Sequence, residues 1–441
     1  MRVLLLTHLF PPDGTMGVER YTRTLAAALT DHGDTVCVVA RHPCEGTVET
    51  LRERLPDGIR LYRITGARTE AGNFLTSRRE LDQHLARILL EVAPDVIHYN
   101  HLLFHSPGSI ERARRLGIPV VFSLHDFYVA CPLLHLRKNS GELCAGPAGG
   151  RECGRTCFAH EGPGNELRWG LRLMYFRRLL GLASQVICPS RYVATFFQSF
   201  GVDPTRLHVL PNGLWIGKKN GLAALGESFT AARPLRLAFL GAVVPHKGLH
   251  IVLEALRLAR LPATRLLVLG PCPEPGYVSK LRYQALRIAG LEVVWNGPYE
   301  TTELSGRLAD VDAAIIPSQC PETFSFVARE ALSCGCPVIV SRLGALTEIV
   351  REGENGFSFT HDCPAELAGL FARLNESQPL RRRLRQGAQS TAFSTVQQHA
   401  DAVRHIYERA LADAEFTKPL SDGHLTESGF LEQALVNQGF G

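Results

Sequence analysis

The sequence predicts an α/β protein built on parallel sheets and divided into two or three domains. Three observations point there. The chain has 441 residues, more than one core normally holds. It opens on an apolar run at 3–6, a Gly-bearing loop at 10–17, a helical stretch at 18–31 and a second apolar run at 35–40. That βαβ start is the opening of a nucleotide-binding fold. Strand, loop, helix and strand recur at 313–341, the stretch around which the rest is organised.

Residues 317–341 read PSQCPETFSFVAREALSCGCPVIVS. Ala313 to Ile316 ends a strand, and a Pro-bearing turn leads to a helix expected from about 324 to 334. Gly335 stands where a helix takes its left-handed closing residue, and Pro337 opens a second apolar strand. Parallel sheets bind ligands at the carboxyl ends of their strands. Glu322 lies in that loop and Glu330 in the helix beyond it. A continuous helix would part them by roughly 12 Å, but a bend before the helix lets both face one pocket. The N–H groups of Thr323, Phe324 and Ser325 fall at the expected helix start, which suits a phosphate. Carboxylates accept hydrogen bonds from paired sugar or ribose hydroxyls. Spacing alone favours the plainer reading, a solvated Glu pair around an amphipathic helix.

The order of the whole stretch resembles the signature of family 4 of the retaining glycosyltransferases. Glu, seven residues and Glu are preceded by Pro-Ser and followed by Ala-Leu-Ser-Cys-Gly-Cys-Pro-Val-Ile-Val-Ser. The resemblance implies the GT-B fold, two Rossmann-like domains with parallel sheets facing across a cleft. It implies transfer from a nucleotide-diphosphate sugar, with Glu330 on the ribose hydroxyls and Glu322 on the sugar. Thr323, Phe324, Ser325 and Val327 complete the donor loop. Cys334 and Cys336 fall inside the signature and read as helix-end packing residues.

Bulk composition is ordinary: 45% hydrophobic, 21% charged, net charge +5. A mild positive charge fits an anionic ligand and does not suggest nucleic acid. No apolar run reaches membrane-spanning length, and the first residues lack a signal-peptide cleavage site. A cytoplasmic protein is expected, with its twelve cysteines as thiols or metal ligands.

In chain order, the loop at 10–17 resembles the family loop that approaches the donor phosphates through Gly17, with Met16-Gly17 in place of a Gly pair. Glu19 reads as a surface acid at the helix start. Strands at 95–98 and 120–124 run into His101 and into His125-Asp126. The family carries a His at the latter strand end, which makes His125 the catalytic candidate near the transferred sugar. Asp126 is expected to hold its ring.

A segment at 127–160, rich in Gly and Pro, reads as a long excursion without a core of its own. It carries Cys131, Cys144, Cys153 and Cys157. Structural Zn²⁺ is one reading, although only Cys153-x₃-Cys157 approaches usual ligand spacing. Unlinked thiols or a redox pair are the others. A basic, aromatic helix at 167–182 carries Arg168, Arg172, Arg177 and Arg178. It reads either as a peripheral contact to an anionic membrane or lipid-phosphate acceptor, or as a packing helix, which base rates favour.

The first domain is set at 1–212 and a linker at 213–234. The second domain, 235–392, opens with a strand leading into Gly241 and Lys247. Lys247 suits a diphosphate as a point charge. The family's Arg after the first Gly is Ala242 here, with His246 as the candidate substitute. A helix at 393–414 resembles the family's return to the first domain, and 415–441 reads as a tail. The expected transfer needs no metal cofactor. The expected acceptor is a glycan, glycolipid or small molecule. A nucleotide-sugar-binding protein without turnover and a sugar-nucleotide epimerase are the alternatives. A dehydrogenase fits less well, because no strand precedes a full Gly-x-Gly-x-x-Gly with a distal acid.

Overall fold

The computed structural model describes residues 1–67, 78–162, 164–215 and 233–420. The chain divides into two compact units, Met1–Asn212 with Val396–Gly441, and Gly213–Thr395. The expected linker falls mostly on 216–232, outside the described residues.

The first unit contains β1 (Arg2–Thr7), α1 (Gly17–Asp31), β2 (Thr35–His42), β3 (Glu49–Arg54), β4 (Arg60–Thr65), α2 (Arg79–Val92) and β5 (Val96–Tyr99). It continues through α3 (Ser109–Arg115), β6 (Val120–Ser123), α4 (Asn165–Gly181), β7 (Gln185–Cys188), α5 (Arg191–Ser199) and β8 (Leu207–Val209). The eight strands order as β3-β4-β2-β1-β5-β6-β7-β8. All pairs are parallel except the edge pair β3–β4. The central strands are apolar runs because helices cover both faces; β1 is buried from Val3 to Thr7. β3 is mostly exposed and carries no apolar run to announce it.

The second unit holds β9 (Leu235–Leu240), α6 (Leu249–Ala259), β10 (Thr264–Leu269), α7 (Pro275–Leu286), β11 (Leu291–Gly297) and α8 (Thr301–Arg307). There follow β12 (Ala313–Ile316), α9 (Phe326–Ser333), β13 (Val338–Ser341), β14 (Gly356–Phe359), α10 (Pro364–Glu376) and α11 (Gln378–Gln389). Its six strands, all parallel, order as β11-β10-β9-β12-β13-β14.

The last helix, α12 (Val396–Ala412), belongs to the first unit. Arg404 Nε donates to Asp34 Oδ2 at 2.9 Å, and Tyr407 Oη meets His98 Nδ1 at 2.7 Å. The segment read as a tail begins anchored. Arg114 donates to the carbonyls of Glu415 and Phe416, and its guanidinium lies 4.8 Å from the Phe416 ring. Residues 421–441 lie outside the described residues.

One expectation changes here, and the packing reading of the basic helix, which base rates favour, gains support. The segment at 127–160 is not a coreless excursion. Phe127, Tyr128, Val129, Ala130, Cys131, Leu136 and Cys153 join the main apolar core of the unit with Trp169 of α4. Gly150, at φ 88°, lets the segment touch α4: a Cβ there would lie 2.4 Å from Trp169 O. The arginines of α4 are also engaged within the protein. Arg172 is fully buried and donates to the carbonyls of Tyr128 and Val129. Arg168 pairs with Glu161, Arg178 with Glu111, and Arg177 lies over Phe200. The helix packs, and its charge is spent on its own neighbours. Among the described residues no helix is long and apolar enough to cross a membrane.

Candidate functional site

In the second unit, two loops at the carboxyl ends of β9 and β12 are laced together. The Gln319 N–H donates to His246 O at 2.7 Å. Lys247 Nζ and Ser318 Oγ both donate to Glu322 Oε1, each at 2.6 Å. Gly248 makes this approach feasible. It has φ 79°, and a Cβ on it would stand 2.1 Å from Pro317 O. Any side chain there would part the loops. Gly241, at φ 138°, closes β9 and donates to Leu269 O at 3.0 Å. Position 242, a methyl group, adds no cation to this loop.

Charge at this junction is set by the Lys247–Glu322 pair. Burial pushes the Glu322 carboxyl up, but Lys247, Ser318 and His246 together hold it below its usual range. Burial likewise disfavours the Lys247 charge, and Glu322 outweighs it, so the ammonium is held more firmly than usual. Among the causes that hold Glu322 down, His246 is the smallest.

The helix beyond this loop starts later than its sequence suggests. Ser325 caps α9 in the left-handed region, at φ 61° and ψ 83°, so helical N–H groups begin at Phe326. Thr323, Phe324 and Ser325 form the turn, not the first helical turn. Ser325 Oγ is buried without a hydrogen-bond partner. Phe324 is buried under the Arg329 guanidinium, 3.9 Å from its ring. Val327 packs on the apolar cluster behind α9. Glu330 lies on the same helix with only 4% of its surface exposed, so it is not a solvated surface acid.

In the first unit the functional edge is a cluster of histidines after β1, β5 and β6. Asp126 does not hold His125 by a hydrogen bond; it pairs with His101. The Leu103 N–H donates to His101 Nδ1 at 2.9 Å, which places the ring proton on Nε2, and Asp126 Oδ2 accepts it at 2.6 Å. His101 packs against His8 with ring centroids 4.5 Å apart, and His8 Nε2 lies 3.1 Å from Glu19 Oε1. Glu19, expected at the surface, is 2% exposed. A carboxylate one turn into α1 faces inward because His8 meets it there.

His125 sits half-buried with its ring 4.2 Å from that of Tyr21. Burial pushes its imidazole down to about 3, against the opposing pull of Asp126, so it is neutral near pH 7. His101, Ser123, His125 and Asp126 line a cavity of about 10 Å³, room for about one water. Gly17 is the exposed first residue of α1. The loop before it is tied from below by Arg63, which donates to Phe10 O, Pro11 O and Asp13.

The four cysteines at 131, 144, 153 and 157 are free thiols. Cys153 is pushed up to about 12, first by burial and then by the other three thiols. Even so, among the described residues no group of three or more His, Cys, Asp or Glu is arranged to hold a metal ion. Cys131 and Cys153 are packed into the apolar core of the unit. Sequence reasoning did not single out His8, which the fold sets against His101 and Glu19. The available signal for His8 was its place directly after β1, the edge that also presents His101 and His125.

Residues 15–214 match the model of Glycosyltransferase Family 4, and residues 227–391 match that of Glycosyl transferases group 1. Together the two matches span most of the chain. This chain is a family 4 glycosyltransferase. The transferase is 26% identical to a glycogen synthase of Mycobacterium tuberculosis, covering 84% of each chain. It is also 26% identical to a D-inositol 3-phosphate glycosyltransferase of Acidothermus cellulolyticus, over 90% of its own length and 86% of the relative's. Among solved structures, Anabaena HepE in complex with UDP and glucose superposes with a TM-score of 0.62. That match has 20% identity and covers 92% of the transferase and 99% of HepE. The transferase thus has the GT-B fold, with a parallel α/β sheet in each unit.

Proposed function

We propose that the transferase moves a sugar from a nucleotide-diphosphate donor to an acceptor hydroxyl with retention at the anomeric carbon. The observation that carries this is the Lys247–Glu322 pair, held at 2.6 Å between the β9 and β12 loops. Lys247 is kept charged for the diphosphate as it leaves, and Glu322 keeps an oxygen for the sugar hydroxyls. Glu330 takes the ribose hydroxyls, and the turn at Thr323, Phe324 and Ser325 borders the phosphates. In the first unit, neutral His125 faces the transferred sugar and Gly17 approaches the donor phosphates. The anomeric carbon–oxygen bond to the diphosphate breaks as the bond to the acceptor oxygen forms on the same face. The acceptor proton passes to the departing phosphate oxygen. The rate gain comes from positioning and preorganised charge. With Lys247 supplying positive charge, the step is assigned no metal. The acceptor is a glycan, glycolipid or small-molecule hydroxyl.

The test is a panel of UDP-, GDP-, ADP- and dTDP-sugars, since HepE holds UDP. Binding and diphosphate release are measured for wild type, Glu330→Ala and Lys247→Ala, with and without EDTA. One donor should bind, be cleaved slowly in EDTA, and lose both properties in the variants. Binding without turnover in broad acceptor mixtures would favour a sugar-nucleotide-binding protein. Binding unchanged in Glu330→Ala would refute the donor site.

A further inference from the structure

The first unit contains a hydrogen-bonded chain that begins beside the crossing between units and ends on a tyrosine whose ring packs against the proposed catalytic histidine. His399, on α12, is 2% exposed. Its Nδ1 lies 2.9 Å from the Pro211 carbonyl, which can only accept, so Nδ1 carries the proton. Nε2 is then a bare acceptor, and Tyr21 Oη, 2.9 Å away, must donate to it. Burial pushes the His399 imidazole down to about 4 and raises the Tyr21 phenol, so both stay neutral near pH 7. Every proton in this chain therefore has one place. The Tyr21 ring, fixed at its hydroxyl end, lies against His125 at 4.2 Å with a 59° tilt.

A second brace runs parallel to it. Tyr407, also on α12, meets His98 Nδ1 at 2.7 Å, and His98 Nε2 meets Ser123 Oγ at 2.8 Å. Ser123 ends β6, two residues before His125. All four of Tyr21, His98, His399 and Tyr407 are buried. An apolar core would not need them. Phe at the two tyrosine positions would fill the same space, so the polar atoms are kept for what they orient.

The chain's location adds to this. Pro211 is one residue short of the Asn212–Gly213 crossing, and His399 lies on the first turn of α12, directly after the Thr395–Val396 crossing. The His399–Pro211 bond ties these two crossings together within the first unit.

We propose that Tyr21 and His399 are positioning residues that set the His125 ring for transfer and make its set depend on the Pro211 crossing. This rests on the role given to His125 above. Neither residue touches the sugar; both act through His125.

The test uses the full chain and the nucleotide sugar of the panel that releases its diphosphate fastest. Tyr21→Phe removes one oxygen and His399→Phe removes both bonds. Each should lower kcat about tenfold, since small misplacements of a reacting group are costly, while donor KM stays level. The double variant should be no slower than either single one, because the two act as a unit. In a His125→Ala background, Tyr21→Phe should have no further effect. Tm should fall by only a few degrees in Tyr21→Phe, which loses one buried hydrogen bond, and further in His399→Phe, which loses two. Additive losses, or a Tyr21→Phe loss that persists without His125, would overturn the inference and leave the proposed function standing. If His125→Ala itself transfers normally, the role of His125 fails and the inference falls with it.

Discussion

Replacing Lys247 by Met removes one charge from the Lys247–Glu322 pair while keeping most of the side chain's bulk. At 2.6 Å the gross attraction is about 6 kcal/mol for the effective dielectric of a partly buried pair. Most of that offsets the desolvation of the two ions. The side chains are 29% and 14% exposed, so the loss falls below that of a fully buried pair, at about 2–3 kcal/mol. Glu322 would keep the Ser318 hydroxyl but lose its counter-charge, and burial would then push its carboxyl above the usual value of 4.5. In the wild type that carboxyl is held below 4.5. Its stabilisation is therefore complete above pH 4.5 and is lost as pH falls through the folded value. Thermal melts of the two proteins should differ by roughly 5 °C or more at pH 7, and the gap should close as pH falls through the folded Glu322 value. Diphosphate release should fall by about a hundredfold or more, the usual cost of one preorganised charge contact. Equal melting at pH 7, or a gap that persists unchanged in acid, would refute the view that Glu322 depends on Lys247.

Three further outcomes follow from the same geometry. Gly248→Ala should be among the most destabilising single-methyl additions, by about 2 kcal/mol or more, because φ is 79° and Pro317 O is 2.1 Å from the new Cβ; a thermal melt and donor binding read it together. Burial pushes His105 and His125 down to about 3 and His399 to about 4. The unfolded chain thus takes up protons below pH 6.5 that the folded chain refuses, so stability is full above pH 6.5 and falls toward pH 4. The slope is about 1.4 kcal/mol per pH unit for each histidine, and His399→Phe should melt with a shallower pH dependence than wild type. At pH 8, iodoacetamide and mass spectrometry should find Cys272, which is exposed, modified first. Cys153, Cys188 and Cys336, buried and pushed up to about 12, should stay unmodified until the chain unfolds.

The parallel sheets were legible because their strands are continuous apolar runs, and the loop–helix at 317–341 because its residues stand in one recognisable order. Errors appeared where one residue's environment comes from distant chain. The α9 start moved because Ser325 takes a left-handed conformation that a serine's propensity does not announce. Glu19 was read as solvated because its partner, His8, lies on the other side of a loop. Asp126 was given to its neighbour His125, whereas the fold delivers His101, 25 residues away in sequence. The segment at 127–160 lacks periodicity, yet it packs against α4, which sequence alone does not place.

The sequence by itself determined the α/β class and the family, and it nominated the Glu322, Glu330 and Lys247 set. These depend on local periodicity and on the order of residues within one loop, both carried by neighbours in the chain. Tertiary structure decided which charges meet and which stay neutral. It paired Lys247 with Glu322 across 75 residues and Tyr21 with His399 across 378. It spent the arginines of α4 on partners inside the protein. The physical reason is that a side chain's protonation, orientation and exposure follow from what folding brings within a few ångströms of it, and most of those partners are remote in sequence.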